Sequence, residues 1–190
     1  MKTLTGKKTK GQDLKKELLA PKKPFCEAVL AIDPGDVQSA FTFMESATYE
    51  PLYFDKLPNE DAVVAIKNYI NQYRGYMADE VAIEMIASYG MAVGKTVFET
   101  CVMIGRFYQI FTDMGLKVRF IYRKDVKMNV CGSTAAKDSN IRVALIDRFA
   151  KHDLKRGTGT MKDPDWFYGF RQDVWAAYAV GVSYIDLYLK

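Results

Sequence analysis

Residues 28–32, Ala-Val-Leu-Ala-Ile, form an uninterrupted apolar run that ends at Asp33, Pro34 and Gly35. A short apolar run bounded by turn residues reads as a buried strand, and Pro-Gly as the turn that stops it. A buried strand needs cover, so the rest of the chain must wrap it. It also carries an acid at its C-terminal end, where a carboxylate can face a shared cleft. Two readings of Asp33 stand at this point: a turn acid, common beside proline at strand ends, or a metal ligand.

The segments that follow supply the cover. Gly35-Asp-Val-Gln reads as a hairpin turn, Ser39–Met44 as a second strand and Leu52–Lys56 as a third. Sequential hairpins favour antiparallel pairing. Asn59 reads as the cap of a helix whose face is Val63, Ile66, Ile70 and Tyr73. Asp79–Met85 reads as a strand with Glu84 near its end, and residues 90–94 as a loop. The strongest helix spans 96–113, with Val97, Cys101, Ile104, Ile110 and Phe111 as its buried stripe and Gly115 ending it. A strand at 118–122, a short helix at 124–129, a helix at 139–149, a polar loop at 151–166 and a helix at 172–187 complete the chain. Three antiparallel strands followed by alternating helices and strands imply a three-layer mixed α/β domain.

A chain of 190 residues is long enough for one substantial core and short for two domains. No apolar run approaches membrane-spanning length, and no hydrophobic segment follows the first lysines, so neither a membrane span nor a secretory signal is expected. Cys26, Cys101 and Cys131 form no CxxC pair, and the sole histidine, His152, cannot complete a common zinc pattern. They read as free thiols, mostly core filler, in a reducing compartment. A cytoplasmic setting is therefore expected. Residues 1–24 carry eight lysines against Asp13 and Glu17, although the whole chain is only +4. They read as a flexible basic arm preceding a domain at 25–190, with a short helix near 13–20 stopped by Pro21 and Pro24. Such an arm suits a polyanion such as a phosphate backbone, or is a solvated tail.

The functional argument rests on acids in separate elements. Asp33 ends the first strand, Glu84 follows Val81, Ala82 and Ile83, and Asp173 opens an otherwise apolar helix. Acids in largely buried elements are costly unless paired or bound to metal. Magnesium or manganese would relieve the repulsion of three converging carboxylates and favours oxygen ligands. The plain alternative makes each acid a separate cap, Asp173 for the last helix included.

Read in order, these residues resemble the RuvC-type Holliday-junction resolvases of the RNase H-like superfamily, most of all bacteriophage-encoded members. Ala-Ile-Asp33-Pro-Gly is similar to the family's first motif, and Ile83-Glu84-Met85 to its second-acid strand. Asp125-Val-Lys127, Cys131-Gly and Ala136-Lys137-Asp138-Ser-Asn140-Ile resemble the segment in which one lysine precedes a glycine turn and another starts the next helix. Asp173-Val-Trp-Ala-Ala-Tyr-Ala-Val resembles the terminal acidic helix. The resemblance covers residues 27–188. It implies an RNase H-like three-layer fold around a central mixed five-stranded sheet. It further implies a metal-dependent endonuclease that cleaves branched DNA, four-way junctions above all, and leaves a 5′-phosphate and a 3′-hydroxyl.

On that resemblance Asp33, Glu84 and Asp173 are the expected ligands of Mg²⁺, with Mn²⁺ as a substitute. Lys127 and Lys137 would bind phosphate or balance transition-state charge, and Asp138 would help hold the metal or else open its helix. The sequence departs from the family where a second acid should follow Asp173 by three residues, because Ala176 stands there. Asp138 and Asp165 are the replacements to weigh; Glu80 lies on the same strand face as Glu84 but about 13 Å away. The family further implies a homodimer, with helix 96–113 as a possible interface; Phe107 and Tyr108 lie side by side, so one of them can exceed the needs of the core. The aromatics of Trp166–Phe170 either stack on unpaired bases or pack a loop. Cationic residues of the 151–166 loop are candidates to rim a substrate channel. Two other functions remain open: a nuclease for flaps, forks or RNA–DNA hybrids, and a branched-DNA-binding protein without catalysis.

Overall fold

The computed structural model describes residues 10–88, 90 and 92–190. Much of the lysine-rich arm, residues 1–9, lies outside the described residues, as do Tyr89 and Met91 beside and within the 90–94 loop. Five strands form one sheet: β1 (Ala28–Asp33), β2 (Gln38–Glu45), β3 (Pro51–Pro58), β4 (Met77–Met85) and β5 (Lys117–Tyr122). Their order across the sheet is β3-β2-β1-β4-β5. β1, β2 and β3 make an antiparallel meander, while β4 lies parallel to both β1 and β5. The apolar run that opened the sequence is thus the central strand of a mixed five-stranded sheet.

The two-residue period of a strand divides the core in two. Ala28, Leu30, Ile32, Phe41, Phe43, Val81 and Ile83 point to one face, which α2 (Asn59–Gln72) and α3 (Lys95–Asp113) cover. Val29, Ala31, Ala40, Met44, Ala78, Ala82 and Ile121 point to the other, which α6 (Val174–Tyr184) covers together with α4 (Arg123–Cys131) and α5 (Asp138–Phe149). The result is the three-layer α/β architecture of the RNase H-like fold. α6 is buried on nearly all sides, which is why it reads as apolar all round rather than striped. It lies very close to the sheet at Gly181, where a Cβ would stand 2.4 Å from the Met44 Sδ and 3.1 Å from the Ala31 Cβ. That contact fixes the height of the helix, and of Asp173 at its start, above β1.

Several elements depart from the sequence reading in informative ways. The first helix, α1 (Lys10–Leu18), begins earlier than 13. Beyond it the chain returns to the sheet: the Lys22 N–H donates to the Leu52 carbonyl at 2.9 Å, and the Tyr69 hydroxyl donates to the Lys22 carbonyl at 2.6 Å. Asn59 is the first residue of α2, not its cap. Its side chain instead ties the turn after β1, donating to the Gly35 and Asp36 carbonyls and accepting from the Ser39 hydroxyl. In α3 the buried stripe is Met103, Ile104, Phe107 and Phe111, whereas Cys101 is exposed and Val97 only half-buried. The fully buried positions of α3 begin only at Met103, so the helix packs on the sheet mainly through its later turns. The cysteines are free, but none is buried: Cys101 is exposed, and Cys26 and Cys131 are half-covered. The last helix gives way to a π-helical turn at Ile185–Leu189.

Candidate active site

Strand periodicity and register bring the acids together. Asp33 continues the face of Val29 and Ala31, and Glu84 that of Ala78 and Ala82, so both look towards α6. Ile32 pairs with Ile83 on adjacent parallel strands, and one step further along are Asp33 and Glu84. Asp173 immediately precedes α6 and reaches the same edge from above. Asp33, Pro34, Glu84, Arg123, Asp173 and Ala176 all line one cleft of ≈ 330 Å³. Its place, outside the carboxyl ends of the parallel strands β1 and β4, is where open α/β sheets bind their ligands. The turn behind Asp33 is braced by the Asn59 and Ser39 contacts. Gly35 is obligatory in that turn, since a Cβ there would lie 2.2 Å from the Gln38 carbonyl oxygen.

The electrostatics of the cleft are those of acids crowded out of water. Burial pushes the Asp33 carboxyl well above the usual range, and the charge of Glu84 and a hydrogen bond with it push it the same way. Arg123 opposes this, and Asp173 adds to it. Burial also raises Glu84, with Arg123 and the Asp33 hydrogen bond pulling it back. Asp33 and Glu84 thus stand as two crowded carboxylates whose charged forms are disfavoured by desolvation, and Asp33 by its like-charged neighbour as well.

Two cations partly supply that charge. Arg123 Nη1 lies 3.3 Å from Glu84 Oε1, and its Nη2 lies 2.7 Å from Asp138 Oδ1. Lys56 Nζ lies 2.6 Å from Asp173 Oδ2. Sequence reasoning had singled out neither. The signal for Lys56 is in the register: Asp33 pairs with Ala40, and Ala40 with Lys56, so the three form one cross-strand row with only a methyl between the charges. Arg123 has no such local signal, because its partners lie 39 and 15 residues away along the chain and meet it only through the β4–β5 pairing and the start of α5. Among the described residues, no group of three or more His, Cys, Asp or Glu side chains stands in a geometry ready to hold a metal ion. Glu84 and Asp173 are engaged with Arg123 and Lys56.

The remaining candidates are placed as follows. Lys127 is half-buried on α4, one turn beyond Arg123 and on the same side of the helix. Lys137 is exposed at the cap position of α5, where its backbone N–H donates to Asn140 Oδ1 at 2.8 Å. Neither lies in the cleft wall. Asp138 is the first residue of α5, mostly exposed, and meets the cleft through Arg123. Glu80 is bound by Arg119 at 2.7 Å and 3.1 Å. Asp165 turns inward, away from the cleft. It accepts the backbone N–H groups of Lys151, His152, Asp153 and Trp166, and these donors hold its pKa far below the usual range despite its burial.

The 151–166 loop thus folds around a carboxylate. Its Lys151 and Trp166 border a different cavity, with Glu50–Phe54 and α1, at the opposite end of β1 from Asp33. The aromatics after it pack the core: Phe167 is fully buried, Phe170 nearly so, and the Trp166 indole N–H donates to the Tyr178 hydroxyl at 2.9 Å.

No protein-family model matches the sequence, and no curated protein does either. The fold, by contrast, has clear relatives among solved structures. RuvC of Thermus thermophilus aligns with a TM-score of 0.59 at 14% identity, covering 83% of this chain and 92% of that one. The T. thermophilus RuvC complex with a Holliday junction substrate aligns with a TM-score of 0.61 at 12% identity over the same shares. The fowlpox virus resolvase in complex with Holliday junction DNA aligns at 0.50 and 13% identity, covering 83% of this chain and 98% of that chain. At such identities the likeness establishes a common RNase H-like architecture. No helix among the described residues is long and apolar enough to cross a membrane.

Proposed function

We propose that this chain is a divalent-metal-dependent endonuclease that cleaves phosphodiester bonds in branched DNA, with the four-way junction as its preferred substrate. The observation that carries the proposal is the convergence of Asp33, Glu84 and Asp173, from three separate elements, on one cleft at the carboxyl edge of an RNase H-like sheet. The donor set fits a hard divalent ion: every candidate ligand is a carboxylate, and Asp33 and Glu84 are crowded at the ends of neighbouring strands in one cleft. Asp33, as the central acid, would hold Mg²⁺ or Mn²⁺ with Glu84 on one side and Asp173 on the other. When bound, such an ion would activate water and stabilise the charge on the phosphoryl oxygens.

The chain's own contributions follow from position. Asn59 and Ser39 fix the turn that aims Asp33. Lys127 and Lys137 would act on the DNA backbone beside the cleft, meeting phosphate charge as the strand is bent towards the acids. A homodimer suits a symmetric four-way substrate. Its interface would be the outer face of α3, where Phe98, Val102 and Tyr108 are exposed.

A second reading is favoured by two observations. Ala176 lines the cleft where a further acid would complete the ligand set, and Arg123 and Lys56 already neutralise two of the acids. A branched-DNA-binding protein without catalysis is consistent with that.

Labelled four-way, flap, RNA–DNA hybrid and linear duplex substrates, each with and without Mg²⁺ or Mn²⁺, separate the possibilities. Selective, metal-dependent cutting of the four-way junction is the expected result. Binding without cutting in either metal would leave the second reading. Equal cutting of all four substrates would remove the preference for junctions.

A further inference from the structure

Arg123 stands where β5 gives way to α4, and its guanidinium spans two acids in different settings. Glu84 lies in the cleft wall with only 12% of its side chain exposed; Asp138 lies outside that wall with 74% exposed. The two contacts are unequal. Nη2 to Asp138 is 2.7 Å, a full charge-assisted hydrogen bond. Nη1 to the two Glu84 oxygens is 3.3 Å and 3.4 Å, long for such a bond. The guanidinium is anchored on the outer acid and leans loosely on the inner one.

We infer that Arg123 is an internal counter-cation for Glu84, which holds that carboxylate while the cleft lacks a divalent ion and withdraws onto Asp138 when one binds. The inference rests on the metal-dependent reading proposed above. Its physical basis is competition. A guanidinium and a divalent ion against the same carboxylate repel each other, so each must weaken the other's hold. Without the guanidinium, Glu84 would stay crowded against Asp33 in a buried site, a costly arrangement for a metal-free protein. Asp138 gives the displaced guanidinium a partner. The long and short contacts of Arg123 are what such an exchange requires. Arg123 is thus a positioning residue that sets how tightly the cleft takes up metal.

The test is calorimetric titration of the full chain with Mn²⁺, without DNA, with circular dichroism as the check on folding. Asp33→Asn provides the reference for a disabled cleft. Arg123→Met should bind Mn²⁺ about tenfold more tightly than the unaltered protein, ~1.4 kcal/mol. Arg123→Gln, which keeps a polar side chain, should move the same way and covers the case in which the methionine variant does not fold. Asp138→Asn should bind Mn²⁺ about threefold more weakly, because the guanidinium loses its second partner and clings to Glu84. In the Arg123→Met background, Asp138→Asn should have no effect.

A purely structural role for Arg123 predicts weaker binding, the opposite sign. Folded Arg123→Met and Arg123→Gln proteins that bind Mn²⁺ no more tightly than the unaltered one would overturn the inference. So would an Asp138→Asn effect that persists without Arg123, which would make Asp138 a direct ligand. Should the unaltered protein take up no more Mn²⁺ than Asp33→Asn does, the metal-dependent reading itself fails and the inference falls with it. Uptake that depends on Asp33 but is indifferent to Arg123 removes the inference alone.

Discussion

Asp165 is buried and Asp33 half-buried, and their surroundings push the two carboxyls in opposite directions. Asp165 accepts four backbone N–H groups, and its carboxyl is held far below the usual range. Asp33 faces a second carboxylate, and its own is raised. A buried acid surrounded by donors is satisfied and rigid, and its task is to organise a loop. An acid crowded by other acids is disfavoured in its charged form, and such perturbed clusters mark functional sites. Burial alone does not distinguish the two; the identity of the neighbours does.

The widest separation between the two sites should appear in a pair of isosteric substitutions. Asp33→Asn should lower metal-dependent junction cleavage by roughly a thousandfold, while the protein keeps its melting temperature within a few degrees, because an amide matches the carboxylate in shape and removes the like-charge repulsion with Glu84. Cleavage kinetics beside thermal unfolding measure both. Asp165→Asn should do the reverse. It puts an NH₂ donor against backbone N–H groups, costing about 3 kcal/mol and lowering the melting temperature by roughly 6–12 °C. Cleavage per folded molecule should be unchanged below that transition. If Asp165→Asn abolished cleavage without loss of stability, the comparison would collapse and Asp165 would belong to the site.

A smaller effect should follow from Asp186, an acid satisfied by side chains instead of backbone. Its pKa is pushed down to about 2 despite the opposing effect of burial, by hydrogen bonds from Arg148, Tyr49 and Asn129. A carboxylate whose pKa is depressed on folding stabilises the protein above its unfolded pKa, near 3.9. That contribution is lost as pH falls from about 4 towards 2. Urea unfolding across this window should show a loss of up to about 2 kcal/mol in the native protein that Asp186→Asn lacks. An unchanged slope in the variant would separate Asp186 from the acid response.

The smallest effect expected is ligand stabilisation at the carboxylate cleft. Mg²⁺ at about ten times its dissociation constant should add ~1.4 kcal/mol, a rise of roughly 3–6 °C in melting temperature. The Asp165→Asn protein should keep this rise and the Asp33→Asn protein should lose it. A rise that survives Asp33→Asn would place the ion elsewhere.

Much of the fold was legible in the chain because strand periodicity is local. The run 28–32 became the central strand, Asp79–Met85 falls within β4, and Ser39–Met44 within β2. That Asp33 and Glu84 share a face follows from the same two-residue period once the strands are paired. The face of α3 was less legible, since Val97 and Cys101 fit a helical stripe but lie before its buried positions, Val97 half-buried and Cys101 exposed. The role of Asp165 was hidden because backbone donors carry no sequence signature. A candidate ligand and a loop anchor look the same on the page.

What the sequence determined by itself was a buried central strand ending in an acid, a second acid on a later strand, a third at the head of an apolar helix, and the layers that follow from these periodicities. Only the tertiary structure decided what surrounds those acids. Register placed Lys56 in one row with Asp33 through Ala40, and the β4–β5 pairing brought Arg123 to Glu84. The tight contact of Gly181 with Met44 and Ala31 set Asp173 at the height of the cleft. The reason is range: periodicity and turn chemistry act over a few residues, whereas the charge balance of a buried acid is set by groups that folding draws in from far along the chain.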